Sequence, residues 1–258
     1  MGLEICALNS GSNGNCYYVG NERDAVLIDA GISCRETERR LYQAGLDLAR
    51  VRAVFISHEH TDHTRGVEVL SRKHGLPVYI TGATQHAGRL SIDPSLTRRF
   101  VHGESACVGS LKVFPFRKEH DCVDPHSFTV AAPDGTTVGV FTDIGTVCDH
   151  LAEGLAACHA AFLESNYDER MLEEGPYPIH LKRRIRGKQG HLSNDQALEV
   201  FLWNRSDRLE LVILSHLSAH NNHPELARNV FLPHANGTRI EVASRHGISG
   251  TYLVKGGG

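Results

Sequence analysis

Three histidines and an aspartate, all able to bind a metal, fall within six residues at His58-Glu59-His60-Thr61-Asp62-His63. Directly before them runs Ala53-Val54-Phe55-Ile56-Ser57, an apolar stretch of strand composition. The pattern reads as a buried strand ending in a tight polar turn. At such a turn His58 and His60 can aim at one ion, and Asp62 and His63 at a neighbour. Imidazole combined with carboxylate suits zinc, manganese or iron(II), so ligand type alone does not choose the metal. The plainer alternative is a polar loop that happens to be rich in histidine.

The same arrangement recurs further along the chain. Val113-Phe114-Pro115-Phe116 leads to His120, Gly139-Val140-Phe141-Thr142 to Asp143, Ala161-Phe162-Leu163 to Glu164, and Leu211-Val212-Ile213-Leu214-Ser215 to His216. Each apolar strand delivers a metal-binding or acid–base side chain at its C-terminal end, the edge where layered α/β proteins assemble their sites. Counting ligands gives His58, His60 and His120 to one ion and Asp62, His63 and His216 to a second. Asp143 suits a bridge, because a carboxylate has two oxygens to share. Two cations roughly 3.5–4 Å apart can activate a hydroxide between them and neutralise charge on substrate oxygens. Asp62 can also orient that water or take its proton.

The elements that must position these residues alternate along the whole chain. Strand patterns fall at 3–8, 16–19, 25–28, 53–57, 78–80, 111–116, 127–132, 138–141, 160–163, 211–214 and 239–242, and helical patterns at 35–44, 66–74, 85–90, 194–203 and 225–231. Pro133-Asp134-Gly135 reads as a hairpin turn. Ser193 with Gln196 has capping-box spacing, and Pro224 sits in a first-turn position. The longest run with neither signal is 168–190, which holds Gly175-Pro176-Tyr177-Pro178 and the basic residues Lys182, Arg183, Arg184, Arg186 and Lys188. A structureless run of that length is functional or disordered, though its charges also fit a solvated face. Mixed elements throughout predict one layered α/β domain over 1–258.

Composition narrows the function classes. The 258 residues are 41% hydrophobic and 22% charged, enough for a sizeable core. A net charge of −3 excludes a global basic field, so any grip on nucleic acid must come from a local patch. The seven cysteines are scattered without a C-x-x-C pair, which points to free thiols in a reducing compartment. With no signal-peptide pattern and no apolar run of spanning length, the expectation is a cytoplasmic protein with no membrane partner.

With Leu27-Ile28-Asp29-Ala30-Gly31, then H-x-H-x-D-H at His58–His63, then His120, Asp143 and His216 in order, the chain resembles the metallo-β-lactamase superfamily. That resemblance implies a four-layered αββα sandwich with two divalent metal ions (zinc, manganese or iron). It also implies that Asp29 supports the ligands from behind. Finer features resemble the YycJ/WalJ branch, related to tRNase Z: Ser10-Gly11-Ser12-Asn13-Gly14-Asn15, Asp121 with Asp124-Pro125, Leu163-Glu164-Ser165-Asn166, Gly175-Pro176-Tyr177-Pro178, Gly190-His191-Leu192-Ser193-Asn194 and His216-Leu217-Ser218. Carried over, Glu164 orients His191, and His191 acts as general acid or phosphate contact. A plain pre-helix residue beside the Ser193 cap is the other reading of His191.

Only 72 residues lie between Asp143 and His216, too few for the cap domain of the β-CASP nucleases. A clear glycine-rich arm like that of tRNase Z enzymes is also missing. His126 stands where this branch is expected to carry an apolar residue.

These features favour a phosphodiesterase that uses a metal-bound hydroxide. The resemblance implies a nuclease, an exonuclease-like enzyme acting on DNA. Lys182, Arg183 and Arg184 are candidates for backbone phosphates, and the loop bearing Ser12 and Asn13 is a candidate phosphate cradle or an ordinary hairpin turn. Alternatives from other classes are a hydrolase of cyclic phosphodiesters, thioesters or lactones, and a regulatory metal-binding protein without turnover.

Overall fold

Strand β1 (Leu3–Asn9) shows how the layers arise: Leu3, Ile5 and Ala7 enter one apolar cluster, while Cys6 and Leu8 enter another. A strand buried on both faces needs apolar residues at successive positions, which is why these strands read as continuous runs instead of alternating ones. The computed structural model describes residues 2–256. Its first sheet adds β2 (Cys16–Gly20), β3 (Ala25–Ile28), β4 (Val51–Phe55), β5 (Val78–Tyr79) and β6 (Thr97–Arg98). The second holds β7 (Ala106–Val108), β8 (Leu111–Arg117), β9 (His126–Ala131), β10 (Thr137–Phe141), β11 (Ala160–Glu164), β12 (Leu211–Ser215) and β13 (Arg239–Val242). The final strand, β14 (Tyr252–Val254), returns to pair antiparallel with β1. The sheet orders are β14-β1-β2-β3-β4-β5-β6 and β13-β12-β11-β10-β9-β8-β7.

Between the sheets lies a core that includes Ile5, Tyr17 and Phe55 from the first and Phe128, Phe162 and Ile213 from the second. Helices α1 (Cys34–Gln43), α2 (Thr61–Thr64), α3 (Val67–His74) and α4 (Gly82–Ala87) belong to the first half. Helices α5 (Asp149–Ala156), α6 (Glu169–Glu174), α7 (Ile179–Arg186), α8 (Asn194–Asn204) and α9 (Pro224–Phe231) belong to the second. Leu41 of α1 and Val67 and Leu70 of α3 cover the outer face of the first sheet. Leu155 of α5, Phe201 of α8 and Phe231 of α9 cover the second. The result is the four-layered αββα sandwich of the metallo-β-lactamase fold. Among the described residues no helix is long and apolar enough to cross a membrane, and all seven cysteines are unpaired.

Register brings the second sheet's functional residues to one edge. Strands β10 to β13 run parallel, with Leu163 opposite both Phe141 and Leu214, and Glu164 opposite Ser215. Asp143, Glu164 and His216 therefore emerge side by side.

Local structure departs from the sequence expectation chiefly at 168–190, which is not structureless. Asp168 caps α6 by accepting from Met171 N at 2.9 Å, Pro178 opens α7, and Tyr167, Leu172 and Ile185 form a small core beneath them. Helices of six and eight residues, split by Gly175-Pro176-Tyr177-Pro178, are too short to display a 3.6-residue period. Helix α4 starts earlier than its pattern suggests, because the Thr81 hydroxyl accepts from Thr84 N at 3.2 Å. Helix α5 and the short strands β6, β7 and β14 carry no clear sequence signal. The capping box of Ser193 and Gln196 is present, and the 133–135 turn closes with Gly135 N donating to Ala132 O at 3.0 Å.

Candidate metal centre

The chain leaves β4 through Ser57 and turns at His60, which precedes the single helical turn of α2. This turn throws His58, His60, Asp62 and His63 toward the edge of the second sheet. His58, His60 and His120 bring one ligand atom each within 4.8 Å of one another, and so do Asp62, His63 and His216. His58 Nε2 lies 3.1 Å from His60 Nδ1, and His216 Nε2 lies 3.7 Å from Asp62 Oδ2. Asp143 stands between the two sets. Its Oδ2 is 3.2 Å from His63 Nε2, without the alignment of a hydrogen bond, and its Oδ1 is 3.8 Å from His120 Nε2 and 3.5 Å from His216 Nδ1.

Three residues hold left-handed backbone at the ends of strands: Asp29 (φ 62°), Asp143 (φ 56°) and His216 (φ 57°). Side chains other than glycine adopt this region rarely, and such strain clusters at functional sites. Asp29 Oδ1 accepts from Ser57 N and Oδ2 from Ser57 Oγ, both at 2.8 Å, and Oδ2 lies 2.7 Å from His63 Nδ1. Ser57 Oγ also lies 2.9 Å from His58 Nδ1. One buried carboxylate thus fixes a ring from each set. Glu164 does the same at the other edge: Oε1 lies 2.9 Å from His191 Nδ1 and 3.0 Å from His216 Nδ1, while Oε2 accepts from Ile144 N and Leu192 N at 2.8 and 3.1 Å. His191 keeps one flank open to solvent, and its neighbour Gly190 accepts from His120 Nδ1 at 3.1 Å.

Charge divides the site. Burial pushes His58 well below the ordinary imidazole value and His120 down to about 4. Burial opposes charge on His63 too, but the carboxylates of Asp143, Asp29 and Asp62 hold it well above that value. His216 is raised to about 10 against its burial, chiefly by Asp143. For the carboxylates, burial works upward and loses. His216 and His63 hold Asp143 well below the usual range, His63 holds Asp62 below it, and His191 brings Glu164 to about 2.

Several residues of the quoted motifs reach the ligands although the sequence assigned them no role. Asn15 donates from Nδ2 to Asp62 Oδ2 at 3.2 Å and lies 3.0 Å from His63 Nε2. Ser10 Oγ accepts from His216 N at 2.8 Å, and Asn166 Nδ2 donates to His216 O at 2.7 Å. Asp121 turns a buried Oδ1 with no hydrogen-bond partner to 3.3 Å from His120 Nε2. Their presence in those motifs was the signal that could have found them.

The substrate-contact expectations fare differently. Lys182 is buried, its ammonium donating to the Glu173 carbonyl, so it faces inward. Arg184 Nε donates to Asp121 Oδ2 at 2.6 Å, and Arg183 is exposed. The 10–15 loop is the β1–β2 hairpin turn. Gly11 N donates to Asn15 Oδ1 and Gly14 N to Gly11 O, so these N–H groups are spent inside the loop. Ser12 and Asn13 point their side chains toward Arg245. His126 is a packing residue, buried edge-on against Phe100.

Every donor in the cluster is imidazole or carboxylate, and the buried His216 Nε2 has no hydrogen-bond partner. Both facts fit divalent cations. The chain belongs to the metallo-beta-lactamase superfamily, whose sequence profile matches residues 10–153, and it is a metal-dependent hydrolase of that fold. Within the superfamily it is similar to exodeoxyribonuclease YycJ of Bacillus anthracis, 36% identical over 88% of this chain and 87% of that protein. Exodeoxyribonuclease WalJ of Streptococcus pneumoniae is 33% identical over 88% and 86%. Among solved structures, the metallo-beta-lactamase fold protein YhfI of Bacillus subtilis superposes with a TM-score of 0.72 at 14% identity, covering 96% of this chain and 99% of that one.

Proposed function

We propose that this protein is a dinuclear metal-dependent nuclease that hydrolyses phosphodiester bonds of DNA from an end. His58, His60 and His120 would hold one ion, Asp62, His63 and His216 the other, with Asp143 shared. When bound, the ions supply Lewis acidity, neutralising phosphate charge and lowering the pKa of water to near neutral. The single observation that carries the phosphodiester reading is the Glu164–His191 pair at 2.9 Å beside the ligands. Glu164 fixes His191 through Nδ1, which leaves Nε2 free to give a proton to the departing sugar oxygen. A poor leaving group such as an alkoxide needs that proton. Asp62, steadied by Asn15, accepts a proton from the attacking water. The polymer reading draws support from the two relatives, both named exodeoxyribonucleases.

The test is cleavage of end-labelled DNA by manganese- or zinc-loaded protein beside Asp62→Ala. The expected result is metal-dependent release of mononucleotides by the wild type and none by the variant. Intact DNA alongside turnover of a small synthetic phosphodiester would overturn the nuclease reading and leave a small-molecule phosphodiesterase.

A further inference from the structure

Arg245 is a half-buried arginine that touches two segments at the rim of the site. Its Nη1 donates to Leu217 O at 3.1 Å, immediately after His216, and its Nη2 reaches Ser12 Oγ at 3.4 Å. Its own carbonyl accepts from Asn13 Nδ2 at 2.7 Å. Ser12 lies three residues before Asn15, which touches Asp62, so the guanidinium stands between the loop that contacts Asp62 and the segment that follows His216. Neither of its bonds goes to a carboxylate.

Arg205 likewise lacks a carboxylate and is held only by carbonyls, those of His234 and Ala235, whereas other arginines pair with carboxylates. Arg184 is paired with Asp121, Arg186 with Glu169 and Glu173, and Arg50 with Glu4. Removing a guanidinium from water without a counter-charge costs free energy, and burial lowers the pKa of Arg245 for that reason. An anion recovers that cost, and the guanidinium's planar fork matches a phosphate. Arg65 approaches the same loop, donating to Asn13 O at 3.3 Å, again without a carboxylate.

Tyr177 lies close enough to Arg245 to act on its charge, and it belongs to an aromatic pair. Tyr177 is half-buried on Leu172 and Ile185, and its ring centroid lies 5.9 Å from that of exposed His220, at 65°. His220 follows His216 by four residues. A cation for a phosphate next to an anchored aromatic face is the combination that binds single strands, because every base has a face to stack.

We propose that Arg245, Ser12 and the Tyr177–His220 pair form a nucleotide subsite gripping the unit of single-stranded nucleic acid next to the scissile phosphate. Arg245 and Ser12 hold its phosphate and Tyr177 carries its base. This rests on the nuclease reading above, and it moves the phosphate contact from the 182–184 cluster to the opposite end of the sequence.

The experiment is fluorescence anisotropy of a labelled, cleavage-resistant phosphorothioate oligodeoxynucleotide titrated with manganese-loaded full-length protein over a range of salt. Arg245→Gln is expected to weaken binding about 10-fold and to lower the slope of log K against log salt by about 0.7, the value for one single-strand phosphate. Tyr177→Ala is expected to weaken binding about 10-fold with the slope unchanged, as lost stacking requires. Arg245→Lys, which retains the charge, keeps the wild-type slope and guards against a folding defect in the glutamine variant. Wild-type binding that neither Arg245→Gln nor Tyr177→Ala alters would overturn the subsite alone. Loss of bound metal in Arg245→Gln would also overturn it, by making Arg245 a support for His216. A loaded wild type that binds no oligonucleotide at any salt would instead overturn the nuclease reading beneath it.

Discussion

The two ligand sets differ in how they carry charge. His58, His60 and His120 form a wall of imidazoles, and burial, helped by the charge of Lys118, presses His58 and His120 toward the neutral state. Asp62, His63 and His216 sit among the carboxylates of Asp29, Asp143 and Glu164, which hold His63 and His216 protonated in the metal-free protein. The first set presents lone pairs to an arriving cation, whereas the second already contains its own ion pairs and must release protons as a cation enters. In the proposed dinuclear centre Asp143 would serve both, which would couple their occupancy.

The contrast extends to the groups around each set, and the largest expected effect lies there. Glu164 contacts His216 of the second set and His191, which belongs to neither. If His191 only moves a proton, His191→Ala retains both metals while hydrolysis falls about 10²–10⁴-fold. Atomic absorption beside steady-state rates checks this, and metal loss in the variant would make His191 a structural member of the second set. Asp29→Asn comes next. Its carboxylate touches His63 directly and His58 only through Ser57. Metal affinity at the second set is therefore expected to drop about 10–100-fold, as for other supporting carboxylates, with a smaller loss at the first. Competition with a chromophoric chelator measures both, and an equal loss would erase the asymmetry.

The smallest effect is the pH dependence of the metal-free protein. His120 has a folded pKa of about 4, below the ordinary imidazole value of about 6.5, so its contribution is full above 6.5 and is lost as pH falls toward 4. His216 has a folded pKa of about 10, so its contribution is full below 6.5 and is lost as pH rises toward 10. The melting temperature is expected to peak near the imidazole value and to decline on both sides. His120→Asn should flatten the acid side and His216→Asn the alkaline side. A single-sided profile that neither variant changes would contradict this division of charge.

Legibility in the sequence followed the same division between local and dispersed. The ligands after β4 sit in one six-residue turn, so spacing alone reveals them. His120, Asp143 and His216 are scattered, yet each ends an apolar strand, and the parallel register of β10 to β12 makes that position meaningful. Asn15 and Asp121 were legible only as members of the quoted motifs, without a role, and Ser57 not at all, because a polar residue in a turn looks the same whether or not it touches a ligand. The reading of 182–184 as a phosphate contact failed at Lys182 because charge in a sequence does not tell direction. Helix α7 turns that ammonium onto Glu173, and the half-buried, carboxylate-free Arg245 has no distinguishing neighbour in its sequence.

Native mass spectrometry of the zinc- or manganese-loaded chain tests the two-set account most directly. Two ions on the wild type, one each on His60→Ala and His216→Ala, and none retained by Asp143→Ala are the predicted result. A wild type that saturates at one ion, or an Asp143→Ala variant that still holds two, would contradict it.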